Sequence, residues 1–187
     1  QNKIWIFKDD VKEVKIQLSK EEFEKLPSIL KEVGFKERRT QTEEDLVVIE
    51  ENGEPIKIRS FEAEGKNFVV FIYKELVIRI ENNANFYYSE ILNENSDVKV
   101  VVRIKKKRVY FEKDRLQAQL DKDVTIKVNG EEKNLGNFLE ISYPPKKEEE
   151  KYKLLEKLKE KGINVEIIEK HYYEIALEKE GFNKIRN

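Results

Sequence analysis

The chain has 187 residues and a formal net charge of −1, with 40% charged and 39% hydrophobic side chains. The length suits one ordinary domain or two very small ones, and the aromatic and β-branched content excludes a disordered chain. The 37 basic and 38 acidic residues balance, so whole-chain charge gives no reason to expect nucleic acid or an acidic membrane as partner.

In chain order, Ile4–Phe7 reads as a short apolar strand or ordered tail within an N-terminal extension over residues 1–10. Val11–Leu18 is a strand. Ser19 opens a helix, with Glu22 completing a capping box, Phe23, Leu26, Leu30 and Val33 forming its apolar stripe, and Gly34 ending it. Pro27 marks a kink or the end of the first turn. Strands follow over Phe35–Thr42, Asp45–Glu50, Ile56–Phe61, Phe68–Lys74 and Leu76–Glu81, with Asn52-Gly53 as a hairpin turn. Asn82–Asn95 is predicted helical, with Phe86, Ile91 and Leu92 as buried positions. Val98–Ile104 is strongly β, and the signal runs through the basic stretch to Phe111. Arg115–Asp121 is a strand, Val124–Val128 with Asn129-Gly130 a hairpin excursion, and Phe138–Tyr143 a strand stopped by Pro144-Pro145. Glu148–Lys161 is a charged helix with Tyr152, Leu155 and Leu158 on one side, ended by Gly162. Val165–Ile168 is a short strand and His171–Lys179 a final helix.

No Pro/Gly/Ser-rich linker divides this order, in which strand, helix and several strands are followed by a helix and several strands again. The expected architecture is α+β: one domain over residues 1–187, made of two half-repeats closed into an antiparallel barrel with helices outside. No apolar run approaches the roughly 18 residues of a membrane-crossing helix. Gln1 to Asp10 carries no signal-peptide pattern, so a cytoplasmic location is expected. High Lys, Glu, Ile and Val without Cys suits a thermophile.

Many strands alternate an apolar face with a charged one. Val14, Ile16 and Leu18 alternate with Glu13, Lys15 and Gln17, and Leu116, Ala118 and Leu120 with Gln117, Gln119 and Asp121. Strand side chains point to opposite faces with a period of two, so each run gathers its ionic groups on one side. Such a face is either the wet side of a sheet or the lining of a binding cavity. Lys57, Arg59, Lys74, Arg79, Lys106, Arg108 and Arg115 form a basic set suited to a polyphosphate if they converge. If they do not, they are surface cations paired with the chain's many acids. Within Lys105-Lys106-Lys107-Arg108, Lys106 and Arg108 share one face and Lys105 and Lys107 the other.

With no Cys and one His, disulfides, a Cys nucleophile and multi-histidine metal sites are excluded. Any metal must be held mainly by carboxylates, which selects Mg²⁺ or Mn²⁺; Glu13, Glu81, Asp121 and Glu140 are the candidates. There is no P-loop and no G-x-S-x-G elbow. His171 reads as a packing or surface residue.

The chain resembles the CYTH superfamily, the triphosphate tunnel metalloenzymes that include class IV adenylyl cyclases and thiamine triphosphatases. The resemblance runs from about Val11 onward and is strongest over Val102–Ser142. It rests there on Ile104-Lys105-Lys106-Lys107-Arg108, Tyr110, Leu120-Asp121-x-x-Val124 and Leu135-Gly136-x-Phe138-Leu139-Glu140-Ile141. Lys57-Ile58-Arg59 is similar to the family's Arg-x-Arg strand, Tyr73-Lys74 to its Tyr-Lys strand, Arg79-Ile80-Glu81 to its Arg-x-Glu strand, and Tyr172-Tyr173-Glu174 to its terminal helix start.

The resemblance implies an eight-stranded antiparallel tunnel that binds a small-molecule triphosphate or nucleotide, as a monomer or homodimer. Lys15, Lys57, Arg59, Lys74, Arg79, Lys106 and Arg108 would bind phosphate. Glu13, Glu81 and Glu140 would bind Mg²⁺ or Mn²⁺, and Glu13 and Asp121 would be catalytic. The implied activity is metal-dependent triphosphate hydrolysis; ATP cyclisation and non-catalytic polyphosphate or nucleotide binding are the alternatives. Two departures bear on this choice. The family's Glu-x-Glu-x-Lys is Glu13-x-Lys15-x-Gln17 here, and its later Glu-x-Glu is Glu140-Ile141-Ser142. Two metal-facing acids are thus replaced, one of them by a cation.

Overall fold

A computed structural model describes residues 3–49, 53–82 and 100–179. Among these residues ten strands form one antiparallel sheet: β1 (Lys3–Lys8), β2 (Lys12–Leu18), β3 (Lys36–Ile49), β4 (Ile56–Ala63), β5 (Lys66–Tyr73), β6 (Leu76–Asn82), β7 (Val100–Lys113), β8 (Leu116–Val128), β9 (Glu131–Tyr143) and β10 (Ile167–Ile168). Their spatial order is β1-β6-β5-β4-β3-β7-β8-β9-β2-β10. Three helices accompany the sheet among the described residues: α1 (Lys20–Glu32), α2 (Glu148–Glu160) and α3 (Tyr172–Lys179).

The expected eight-stranded closed barrel is corrected to this open sheet. β1 takes the free edge of β6, and the two-residue β10 takes the edge of β2 at Lys15 and Ile16, so no ladder joins the two ends. The ends are nevertheless tethered. Residues 9–11 alone connect β1 to β2, and the step from Lys8 to Lys12 spans at most about 14 Å. Strands at opposite ends of the order are therefore held close, and the sheet curls into a trough.

Local signals explain the elements. Ser19 Oγ accepts from the Glu22 N–H at 3.1 Å while Glu22 Oε1 accepts from the Ser19 N–H at 2.9 Å, closing the capping box. Pro27 is carried inside α1, which continues to Glu32 and buries Leu26, Ile29 and Leu30. Gly34 follows in the left-handed region, φ 100°, which a Cβ would oppose. The two strands expected over Phe35–Thr42 and Asp45–Glu50 are one, β3. Its acids at 43–45 face partner strands rather than forming a break. Val124–Val128 continues β8 past a register shift instead of standing apart. Tyr152, expected beside Leu155 and Leu158, is 56% exposed, and Leu154 takes its place. The helix expected over Asn82–Asn95 and the Asn52 half of the Asn52-Gly53 turn lie outside the described residues.

Two apolar clusters position the site. On the convex side Val14, Ile16, Leu18, Leu116, Ala118 and Leu120 pack under α1 and α2. On the concave side Val102, Ile104, Val124, Ile126 and Phe138 receive Tyr172, Ala176 and Leu177 of α3, which plugs one end of the trough. No helix among the described residues is long and apolar enough to cross a membrane.

Leu158 of α2 is fully buried. Its replacement in Leu158→Ala removes apolar contact and leaves a cavity, so urea unfolding should show a loss of about 2–5 kcal/mol.

Candidate functional site

The register of the sheet decides which charges meet on the concave face. Asp45 of β3 lies opposite Arg59 of β4, and Glu43 of β3 opposite Lys106 of β7. Arg108 of β7 lies opposite Asp121 of β8, and Lys15 of β2 opposite Glu140 of β9. Each is a cross-strand pair of opposite sign, the arrangement that stabilises a sheet.

The contacts are close. Arg59 donates to both oxygens of Asp45 at 2.9 and 3.1 Å, and Lys106 donates to Asp45 at 3.0 Å. Glu43 receives the Tyr110 hydroxyl and the Gln41 amide, and has Arg59, Lys106 and Arg108 at 3.3, 3.5 and 3.6 Å. Arg108 holds Asp121 in a two-bond fork at 2.6 and 2.8 Å and reaches Glu140 at 3.2 Å, while the Tyr172 hydroxyl donates to Asp121 at 2.5 Å. Burial alone would raise the carboxyl groups of Asp45 and Glu140. Arg59 and Lys106 hold Asp45 far below the usual range, and Arg108 and Lys15 do the same for Glu140. Glu43 is likewise held down at about 2 by Arg59, Arg108 and Lys106 against its burial.

Glu13 is the exception. Its carboxyl is pushed up to about 7, first by the negative charge of Glu140 and then by burial, and the two acids share a hydrogen bond. Ser142 Oγ lies 3.4 Å from Glu13. The Lys15 ammonium stands 3.8 Å from Glu140, donates to the Lys170 carbonyl at 2.9 Å and lies 4.7 Å from the centre of the Tyr172 ring. It therefore occupies one flank of Glu140, between that acid, the Lys170 carbonyl and the Tyr172 ring.

The trough encloses a cavity of about 810 Å³, within the size range of small-molecule sites. Ten basic and seven acidic side chains line it, an excess of three cations in a chain whose net charge is −1. Lys57 is half-buried in this lining and makes no ion pair within 4 Å among the described residues; burial and then Arg59 lower its pKa. Arg79 lies against Phe68, and its Nε has no hydrogen-bond partner. Lys74 sits at the β5–β6 turn near the mouth, and Arg115 and Lys151 also face the cavity.

Of the residues singled out from sequence, Glu13, Lys15, Lys57, Arg59, Lys106, Arg108, Asp121 and Glu140 are brought together on this floor. Arg59, Lys106 and Arg108 are already satisfied by carboxylates, and Asp121 is committed to Arg108 and Tyr172. Glu81 does not join them; it lies on β6 with Lys66 at 3.3 Å. Glu43, Asp45, Gln41 and Tyr110 were missed. The period-two run Arg39, Gln41, Glu43, Asp45 is the signal that reveals the three on β3 once it is read as one strand, and Tyr110 follows Lys106 and Arg108 at the same spacing on β7. His171 lines the trough, stacked on Tyr173, with its pKa lowered by burial and then by Lys57 and Lys15.

Mg²⁺ at a phosphate site takes one or two carboxylates from the protein and completes its shell with phosphate oxygens and water. Glu13 and Glu140 adjoin each other, but Lys15 flanks them, and no group of three or more acids or histidines among the described residues is arranged to hold a metal. Among the described residues, the Lys15 ammonium beside Glu140 is the group that opposes a divalent ion at this acid pair.

No family model matches the chain, and no curated protein matches it in sequence. In fold it resembles the PH1012 protein of Pyrococcus horikoshii, with a TM-score of 0.61 and 19% identity over 88% of this chain and 98% of that one. It also resembles a conserved hypothetical protein of Pyrococcus furiosus, with a TM-score of 0.60 and 17% identity over 88% and 98%. A protein of Vibrio parahaemolyticus named as a candidate adenylate cyclase gives 0.56 and 14% identity over 91% and 99%. At these identities the likeness establishes a shared fold.

The acid pair yields a pH prediction. In the unfolded chain Glu13 ionises near 4.5, and in the folded chain near 7. Between those values the folded state holds the extra proton, so this group's contribution to stability falls as pH rises through the window and is flat above it. Glu43 acts oppositely, its contribution being full above 4.5 and lost as pH falls toward 2. His171, with its lowered pKa, gives a rising contribution over the same range, so the Glu13 effect is read as a difference: in urea unfolding from pH 5 to 8 the stability of Glu13→Gln relative to the wild type should rise with pH.

Proposed function

We propose that the chain is a divergent CYTH-type protein that binds a triphosphate-bearing small molecule in its trough without a divalent metal and without hydrolysing it. The observation that carries this reading is Lys15 beside Glu140, where a fixed ammonium supplies positive charge at the place a metal would need acids. The cationic excess of the lining supports an anionic ligand, and Lys57 and Arg79 are the side chains best placed to receive it, with Lys74 at the mouth. Arg59, Lys106 and Arg108 contribute differently: their carboxylate partners fix them in place, and their charge is largely spent within the protein. The fold shared with a protein named as a candidate adenylate cyclase is compatible with a triphosphate ligand.

Inorganic triphosphate titrated by calorimetry should bind in EDTA, and Mn²⁺, which chelates triphosphate itself, should not strengthen that binding, with no phosphate release above a heat-killed control. Lys57→Ala should weaken binding about tenfold or more, the scale of a lost charge-assisted contact. Lys15→Glu should weaken binding in EDTA and make it responsive to Mn²⁺. Binding that requires Mn²⁺ in the wild type, or turnover, would contradict the proposal.

A further inference from the structure

The outer face of β7 and β8 carries a different charge pattern from the inner one. On the concave side β7 sets Lys106 against Glu43 of β3 and Arg108 against Asp121 of β8. On the convex side Arg103 of β7 lies opposite Lys127 of β8, and Lys107 opposite Lys122, with Lys105 opposite Thr125 between them. All five cations are exposed. Like charges directly across a ladder destabilise a sheet, so the fold itself gives no reason for this pattern. Three acids border the strip: Glu44, 3.6 Å from Lys105; Glu132, opposite Lys127; and Asp123, whose side chain accepts from Asn134 at 3.5 Å. Arg103, Lys107, Lys122 and Lys127 make no ion pair within 4 Å among the described residues. The strip runs about 14 Å along β7 from Arg103 to Lys107 and is two strands wide. No exposed aromatic or large aliphatic side chain among the described residues lies in it. A single-stranded nucleic acid would want aromatic rings for its bases, and a membrane surface would want apolar side chains to bury. A duplex presents a regular array of phosphates, which Lys and Arg recognise without reading bases.

We infer that the convex face of β7 and β8 is a sequence-independent docking surface for the phosphate backbone of a nucleic acid duplex. Bound phosphates relieve the repulsion between Arg103 and Lys127 and between Lys107 and Lys122. The surface lies on the opposite side of the sheet from the trough and does not depend on what the trough binds. The net charge of −1 conceals it, because the cations are gathered on one strip.

Fluorescence anisotropy with a labelled duplex, made as DNA and as RNA, tests this. At low salt the wild type should bind, and for the DNA the logarithm of affinity should fall against that of salt with a slope of about −3.6, the value for four neutralised phosphates. Lys107→Ala should make that slope shallower by about one. Lys122→Glu should weaken binding about tenfold or more, yet unfold at the same or a higher urea concentration, because it turns a like-charge pair into an opposite one. Lys57→Ala, in the trough, should leave duplex affinity unchanged. Binding of one duplex type alone supports the inference and identifies the source of the phosphates. No binding of either duplex at low salt, binding that survives Lys122→Glu, or binding lost in Lys57→Ala would overturn it. Tighter binding to phosphatidylserine vesicles than to either duplex would also overturn it and assign the strip to a membrane surface.

Discussion

The trough is organised around the buried meeting of Glu43 and Asp45 with Arg59, Lys106 and Arg108. Lys106 and Arg108 are 2% exposed, Asp45 is 3% exposed and Glu43 is fully buried. Charges removed from water are costly unless each has a well-placed opposite, and removing one partner of such a pair costs about 3–5 kcal/mol. The fold meets this demand through strand register. Every one of these groups sits opposite or diagonal to its partner on a neighbouring strand, so a one-residue slip of any ladder would strand an uncompensated charge. The ion pairs therefore fix the alignment of β3, β4, β7 and β8 beyond what the apolar face alone requires.

The same network shapes what the cavity can do. A trough lined by unpaired cations would be a strong but self-repelling anion trap. Here the deepest cations are bound to carboxylates, and the responsive ones stand nearer the opening. Lys15 extends the principle to the acids of β2 and β9. Beside it Glu140 stays ionised, and Glu13, crowded by Glu140, keeps its proton to about pH 7. Tyr172 ties α3 to this floor through Asp121 and the Lys15 ammonium, so the helix that seals the apolar end also fixes the polar one.

Much of this was legible in the amino-acid pattern. Alternation in β2 and β8 placed Lys15, Gln119 and Asp121 on the face opposite Leu18 and Leu120, and the split of Lys105 and Lys107 from Lys106 and Arg108 is the one observed. What failed to show was partnership. Glu43-Glu44 looks like a break between two strands by composition, because acids running on into Asp45 have no reason to stay in one strand until Arg59 and Lys106 arrive from distant segments. That the sheet stays open, where closure was expected, was equally hidden. Closure depends on which edges find each other, and β1 and β10, which take the edges of β6 and β2, are too short to announce their pairing. Glu81 was grouped with Glu13 and Glu140 through its motif, whereas its strand carries it to Lys66.

The central claim is that an ammonium, not a metal, completes the charge of this site. A crystal structure of the complex with triphosphate, grown in excess Mn²⁺ and measured at the manganese absorption edge, tests it most directly. The account predicts phosphate density against Lys57 and Arg79, Lys15 still beside Glu140, and no anomalous peak between Glu13 and Glu140. A manganese peak bridging those two acids, with Lys15 turned away, would contradict it.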